Sequence, residues 1–266
     1  MCKVYFVATP IGNLGDISYR AVETLKNADL LLCEDTRHSR ILLDRYGVNK
    51  PLKSFHKFNE KKTLDFVCDT VRSGKTVAVI SDAGMPCVSD PGYLLVRRLI
   101  EEKIDYTVLP GACAFVTAFV MTGFEAPFTF AGFLKEKASE RQKQLESLPY
   151  GGVNIFYSAP HNVNADLRAL YGFFGDRKVA VVKEISKLHE SAEFFRLKDA
   201  EVVMPRGEYV IVVDGAEEEN ALNALSPEEH VAFYEKGGMS RMEAIKRTAK
   251  DRGVGKNEIY KLFIGK

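Results

Sequence analysis

The 266-residue chain contains no apolar run long enough to cross a bilayer, and its first residues lack the extended hydrophobic stretch of a signal peptide. Its five cysteines (Cys2, Cys33, Cys68, Cys87, Cys113) include no Cys-x-x-Cys pair, and most sit in apolar runs. That pattern points to reduced, buried thiols and against a disulfide frame. Charge of one sign does not dominate. The 37 Lys and Arg against 36 Asp and Glu give a net +1, so no overall field draws the chain to nucleic acid, and RNA contact must come from local basic patches. His38, His56, His161, His189 and His230 are far apart and form no His-Glu-x-x-His motif, so no metal is expected. These features predict a soluble, cytoplasmic protein, long enough for one large domain or two of ordinary size.

Common nucleotide motifs are missing as well. Ser73-Gly74-Lys75-Thr76 looks like the end of a Walker A loop, but Asp69 stands where its first glycine belongs, and the segment precedes a strand instead of opening a helix. Thr9-Pro10-Ile11-Gly12 lacks the GxGxxG spacing, and no GxSxG elbow occurs.

What the chain does have is a strand–helix rhythm. Strands are predicted over 3–8, 30–33, 76–80 and 106–109, with helices near 18–27, 37–46, 60–73, 93–100 and 114–122. Asp16 or Ser18 is the expected cap of the first helix. The alternation implies an α/β fold with a mostly parallel sheet. Gly123 to Pro127 reads as a hinge. Beyond it, strands at 128–133, 153–157, 179–185 and 209–213 and helices near 138–147 and 162–173 suggest a second α/β domain. After the acidic run 217–219, two or three short helices are expected, with a turn near 253–255 and a capping box from Ser240 and Glu243. The predicted domains are 1–122, 127–216 and a helical segment at 226–266.

Three Gly- or Pro-rich loops, at 9–16, 81–92 and 110–113, each follow a predicted strand. Ligands of open α/β sheets bind at the carboxyl ends of strands, so the three loops point to one ligand site.

The strings Thr9-Pro10-Ile11-Gly12-Asn13-Leu14, Glu34-Asp35-Thr36-Arg37, Ser81-Asp82-Ala83-Gly84 with Ser89-Asp90-Pro91-Gly92, and Leu109-Pro110-Gly111 resemble the tetrapyrrole-methylase-like superfamily. Within it they are similar to the 16S rRNA cytidine-2′-O-methyltransferase family. The likeness continues through Glu184-Ile185-Ser186-Lys187 and Gly207-Glu208 into a helix-turn-helix-like end. The chain departs from the family's usual pattern at Met85 (usually Thr), Ala112 (Pro), Ser158 (Glu) and Lys183 (Arg).

The resemblance implies a two-domain fold with S-adenosylmethionine in the cleft between domains. It also implies methyl transfer to a cytidine 2′-hydroxyl in the decoding region of 16S rRNA, the small ribosomal subunit as partner, and a homodimer. Carried over residue by residue, the cofactor site comprises Ile11, Gly12, Asp82, Ala83, Gly84, Met85, Cys113, Ala114, Phe156, Tyr157, Gly207 and Tyr209. The catalytic candidates are Glu184 and Asp35 as base, with Lys183 as electrostatic helper. The RNA surface is expected from Arg37, Arg40 and His56, from Lys135, Lys137 and Arg141, and from Arg241 and Lys246 in the tail. Two other readings stay open: a methylase of the same superfamily with a tetrapyrrole or protein acceptor, and a non-catalytic RNA-binding assembly factor.

Overall fold

The computed structural model describes residues 3–125, 127–149, 151–215, 225–252 and 254–263. The chain divides into two compact units, Met1–Gly215 and Ala216–Lys266.

The first unit holds two five-stranded sheets. The first is wholly parallel, in the order β3-β2-β4-β1-β5, with β1 Val4–Val7, β2 Leu30–Cys33, β3 Leu52–Ser54, β4 Val77–Ile80 and β5 Tyr106–Leu109. Strands buried on both faces show no polar alternation, and here each strand divides its apolar residues between two cores. Val4, Phe6, Leu30, Leu32, Val77 and Val79 meet α3 (Glu60–Arg72) and α4 (Tyr93–Glu101) through Val67, Val71, Leu95 and Leu99. Val7, Leu31, Cys33, Ala78 and Ile80 face the other way, toward Ala21 and Leu25 of α1 (Tyr19–Asn27) and Leu43 of α2 (Thr36–Arg45). Ser18, not Asp16, caps α1, its hydroxyl accepting the Ala21 N–H at 3.1 Å. Asp16 ends a short 3-10 turn capped by Asn13.

The second sheet has the order β6-β7-β10-β8-β9, from β6 Phe128–Phe133, β7 Val153–Ser158, β8 Lys178–Lys183, β9 Ser191–Arg196 and β10 Tyr209–Val213. Only β6 and β7 run parallel. One face packs on α7 (Val163–Phe174) and on Leu145 of α6 (Ala138–Glu146). The other packs on Ala114, Phe115, Ala118 and Phe119 of α5 (Ala114–Thr122). The helix that follows the first sheet therefore joins the core of the second. Two strands were not expected, β3 and β9, and β8 stops two residues before the predicted end. Glu184 (φ +50°) and Ser186 (φ +68°) adopt left-handed backbone there and cannot continue a ladder.

The second unit contains α8 (Pro227–Lys236), α9 (Arg241–Asp251) and α10 (Lys256–Lys261), packed through Val231, Ala244, Ile245, Ala249 and Ile259. The expected Ser240–Glu243 capping box is present, and Ser226 with Glu229 forms a second at the start of α8. The predicted turn at 253–255 includes Gly253, which lies outside the described residues. No helix among the described residues is long and apolar enough to cross a membrane.

Candidate active site

The loops after β1 and β4 are stitched together. The Thr9 N–H donates to the Gly84 carbonyl at 2.9 Å, and the Gly84 N–H returns a bond to Thr9 at 3.1 Å. The Thr9 hydroxyl also donates to the Ser81 carbonyl at 3.1 Å. Gly84 sits at φ +80°, and a Cβ there would lie 3.2 Å from the Ile11 side chain, so a backbone conformation that disfavours side chains coincides with a close approach. Further along, Cys87, Ser89 and Gly92 all have positive φ. This strained path is held from α3. The buried Glu60 carboxylate accepts the N–H groups of Gly92 and Leu94 at 3.0 and 2.9 Å. It thereby serves the amino end of α4, where the backbone donors otherwise lack partners.

Between these loops and the second sheet lies a cavity of about 470 Å³. Of the residues expected at a cofactor site, Ile11, Asp82, Ala83, Gly84, Met85, Cys113, Ala114, Tyr157 and Tyr209 line it. Three do not. Phe156 is fully buried on the opposite face of β7, in the core against α7, because alternate strand residues face opposite ways and Tyr157 takes the cavity side. Gly12 lines an adjoining cavity of about 320 Å³. Gly207 (φ +80°) packs on Glu184, whose carboxylate a Cβ would strike. The departure Met85 lines the cavity wall. So does Ser158, whose hydroxyl donates to Asp166 on α7 at 2.5 Å.

The sequence reading missed Glu34, Asp90 and Glu208 on the same lining. With Asp82 they place four carboxylates around the cavity, and the described lining includes no Lys, Arg or His. Burial, followed by repulsion from Asp90 and Asp82, lifts Glu34 to about 7. Burial and the Asp82 charge lift Asp90 to about 6. Glu34 and Asp90 thus face the same space from the ends of β2 and of the loop after β4. Like-charged carboxyls this close cannot both ionise readily. Burial also raises Tyr157 and Cys113 across the cavity.

The residues named from sequence as catalytic stand elsewhere. Asp35 caps α2 through the Arg37 N–H at 2.8 Å and pairs with the Arg37 guanidinium, which, through hydrogen bonds first, holds it at about 2. A carboxylate so stabilised is a weak base. Burial pushes Glu184 up, but Lys187 at 2.9 Å and the Glu208 N–H outweigh it and leave it lowered. Lys187 also pairs with Glu208 at 2.9 Å, and a Cβ at Gly12 would meet the Lys187 side chain at 2.5 Å. The Ser186 hydroxyl bonds Asp16. The Glu184–Lys187 segment is thus a clamp joining the second sheet to the loop after β1. Lys183 ends β8, opposite Ser191, and lines neither cavity.

The basic residues also separate by environment. Exposed Arg37 and Arg40 line a shallow groove with Lys50. They share α2 with His38, Ser39, Ile41 and Leu42, which line the 320 Å³ cavity. His56 is half-buried, its ring against Phe58. Lys135 and Lys137 are exposed, and Lys137 pairs with Glu140. Arg141 turns inward and donates to the carbonyls of Lys135 and Glu136. In the second unit Lys246 is exposed, whereas Arg241 pairs with Glu235 and covers the Phe263 ring.

A profile of the Tetrapyrrole (Corrin/Porphyrin) Methylases matches residues 3–201. The Bacillus subtilis protein named ribosomal RNA small subunit methyltransferase I is 39% identical, over 98% of this chain and 93% of its own length. The chain belongs to this family of methyltransferases. A Mycoplasmopsis pulmonis relative of the same name is 47% identical over 72% of this chain and 86% of its own. Among solved structures, the methyltransferase CobJ superposes with a TM-score of 0.63 at 19% identity, over 82% of this chain and 95% of that one. Uroporphyrin-III-C-methyltransferase from Thermus thermophilus gives 0.59, also at 19% identity, over 80% and 94%. These two share the fold. The family makes this chain a methyltransferase, and the cavity at the strand ends is where its methyl donor is to be sought.

Proposed function

We propose that the chain transfers a methyl group from S-adenosylmethionine to the ribose 2′-hydroxyl of a cytidine in the decoding region of 16S rRNA, acting on the small ribosomal subunit in the cytoplasm. The observation that carries this reading is the 470 Å³ cavity, whose four carboxylates are accompanied by no cationic lining residue among those described. Such a lining suits a cationic ligand and opposes a phosphate. S-adenosylmethionine supplies a methyl group already activated on positively charged sulfur. Ile11, Met85, Ala114 and Tyr157 offer the apolar slot that its adenine requires, and Asp82 and Asp90 the negative charge.

The acceptor fits the neighbouring cavity, which shares Ile11, Asp82, Ala83 and Glu208 with the first. Helix α2 links that cavity to the groove of Arg37 and Arg40, so a strand held there by its phosphates could place one nucleoside inside. Holding donor and acceptor in line contributes as much as ~7–11 kcal/mol in favourable cases. A homodimer is part of this reading. Helix α5 is apolar apart from two threonines, yet leaves Val116 and Val120 exposed on one side, and such a face suits a second copy.

The test is transfer of labelled methyl from S-adenosylmethionine to small subunits lacking the modification, followed by mapping of 2′-O-methyl positions. Label at one decoding-region cytidine is expected. Label elsewhere, or none despite cofactor binding, would reject the assigned acceptor.

A further inference from the structure

The loop that leaves β8 is held in a strained shape and brings one cation to the 320 Å³ cavity. Glu184 (φ +50°) and Ser186 (φ +68°) take left-handed backbone that residues with side chains rarely adopt. The Glu184 N–H donates to the Glu208 carbonyl at 3.0 Å, and the Glu208 N–H returns a bond to the Glu184 carboxylate at 2.9 Å. The Ser186 N–H donates to Glu190 at 2.6 Å. Backbone constrained in this way clusters where a side chain has to be aimed. Here that side chain is Lys187. Its stem crosses Gly12, where a Cβ would lie 2.5 Å from the Lys187 Cγ. Lys187 is also the one Lys or Arg on the described lining of the cavity.

The Lys187 ammonium donates to Glu184 and to Glu208, both at 2.9 Å. An ammonium has three donors, so one remains for a ligand. Glu208 is exposed and lines both the donor cavity and the acceptor cavity. Its Oε2 holds Lys187, and its Oε1 has no hydrogen bond among the described residues. We propose that Lys187 and Glu208 together grip the acceptor 2′-hydroxyl: the ammonium donates to the oxygen, Glu208 accepts the hydroxyl proton, and Glu184 positions Lys187. This assignment rests on the methyl-transfer reading above.

The other titratable groups on the acceptor cavity are less suited. Asp82 lines both cavities but accepts the Asp35 N–H at 3.3 Å, and His38 lines the acceptor cavity alone. A phosphate is a poor partner for Lys187, because two carboxylates outnumber its one positive charge. A neutral hydroxyl both donates and accepts, and so matches an ammonium beside a carboxylate. Burial presses Lys187 down, but its bonds to Glu184 and Glu208 outweigh that and leave it raised. It is therefore a fixed donor and not a base.

In the transfer, one lone pair of the 2′-oxygen takes the Lys187 hydrogen bond and the other forms the O–CH3 bond. The S–CH3 bond breaks as this bond forms, and its electron pair stays on sulfur. The O–H proton passes to Glu208, which later gives it to solvent, while Lys187 keeps all of its protons.

Single-turnover transfer to small subunits at saturating donor tests the grip. Lys187→Met keeps the stem across Gly12 and removes the ammonium. Glu208→Gln keeps the size of an exposed side chain and removes the proton acceptor. With thermal melts as the check of folding, Lys187→Met should be slower by ~10²–10³-fold and Glu208→Gln by ~10²–10⁴-fold. Affinity for S-adenosylhomocysteine should stay within threefold of wild type in both. A second arm needs no turnover. With S-adenosylhomocysteine bound, wild type should hold a decoding-region RNA about tenfold more tightly than the same RNA with 2′-deoxycytidine at the acceptor position, and both variants should hold the two RNAs equally. If Lys187→Met fails to fold, Glu208→Gln decides both arms. A Glu208→Gln rate near wild type, or a hydroxyl preference that survives either substitution, would overturn the assignment. If wild type methylates no subunit, the 16S acceptor is what fails, and the binding arm decides the grip: a hydroxyl preference that the variants lose upholds it, and equal binding of the two RNAs by wild type overturns it.

Discussion

The Glu60 carboxylate accepts the Gly92 N–H at 3.0 Å, so a side chain on α3 fixes the place where the loop after β4 turns into α4. The same oxygen takes the Leu94 N–H at 2.9 Å and, more weakly, that of Leu95 at 3.4 Å. Glu60→Ala leaves these donors buried without partners and removes a negative charge from a helix amino end. A loss of ~1–3 kcal/mol is expected, or a Tm lower by ~2–4 °C per kcal/mol for a protein of this size. Because Asp90 and Ser89 belong to the loop it secures, donor affinity should fall as well. A variant that melts lower but binds S-adenosylhomocysteine as tightly as wild type would separate the loop from this anchor. Gly92→Ala attacks the same turn from the other side: its φ is +129°, and the new Cβ would meet the Cys87 sulfur at 2.5 Å. It should be at least as damaging.

Glu34 and Asp90 also make stability depend on pH, with a definite sign. Their pKa values in the folded protein, about 7 and about 6, lie above the ordinary 4.5 and 3.8. Between roughly pH 4 and 7 the folded protein therefore binds more protons than the unfolded chain, and these two groups make stability fall as pH rises. Asp35, held at about 2, acts the other way but only below this window. Glu34→Gln keeps the uncharged shape at every pH. It should match wild type in thermal melts near pH 4.5 and exceed it near pH 7.5. A constant difference between the two across that range would show that Glu34 does not titrate where its surroundings place it.

These two groups also mark the limit of what the sequence discloses. The parallel sheet and its strand-end loops could be read directly, because β-branched runs and Gly/Pro strings are local signals, whereas the individual cavity-lining residues were named only through the family resemblance. The assignment within Glu34-Asp35 could not be read. Both are acidic and adjacent, yet the strand's end turns Glu34 toward the cavity while Asp35 caps α2. Phe156 and Tyr157 pose the same problem: neighbours on one strand face opposite sides, and nothing local says which is which. Edge strands β3 and β9 escaped for another reason. One is three residues long, and the other leaves Glu193 and Phe194 exposed, so neither carries the pattern of a buried strand. Asp90 and Glu208 became visible as site residues only once the fold brought distant loops together.

Ser158 stands where the family's usual pattern has Glu, and the structure gives the exchange a partner. Its hydroxyl donates to Asp166 at 2.5 Å, which offsets part of the rise that burial imposes on that carboxyl. Ser158→Ala should cost ~1.5–3 kcal/mol, the range for a hydrogen bond to a charged acceptor. Ser158→Glu would set a second carboxylate against Asp166 in a buried position and should melt lower still at pH 7.5. Adding Asp166→Asn should recover much of that second loss, because it removes the repulsion. If the double variant melts no higher than Ser158→Glu alone, the cost is steric and the charge argument fails.

The basic groove can be tested by its salt dependence. Arg40 is exposed beside Lys50, whereas Arg37 is committed to Asp35 through two guanidinium contacts at 3.3 and 3.1 Å. Each phosphate that a free cation neutralises releases counterions and steepens the fall of affinity with salt. Arg40→Gln should therefore flatten the plot of log affinity for the 16S decoding-region RNA against log salt by about 0.7–0.9. Arg37→Gln should flatten it less, since Arg37 already spends part of its charge on Asp35. Arg252 gives the contrast within the helical unit. It donates to His230 at 3.2 Å and to the Leu225 carbonyl, so it is turned to the interior of its own bundle. Arg252→Gln should loosen that bundle, seen as earlier loss of helical signal on heating, and leave the slope contributed by α2 unchanged. An unchanged slope in Arg40→Gln would remove the groove from the RNA path and leave Lys135, Lys137 and Lys246 as the exposed cations to examine.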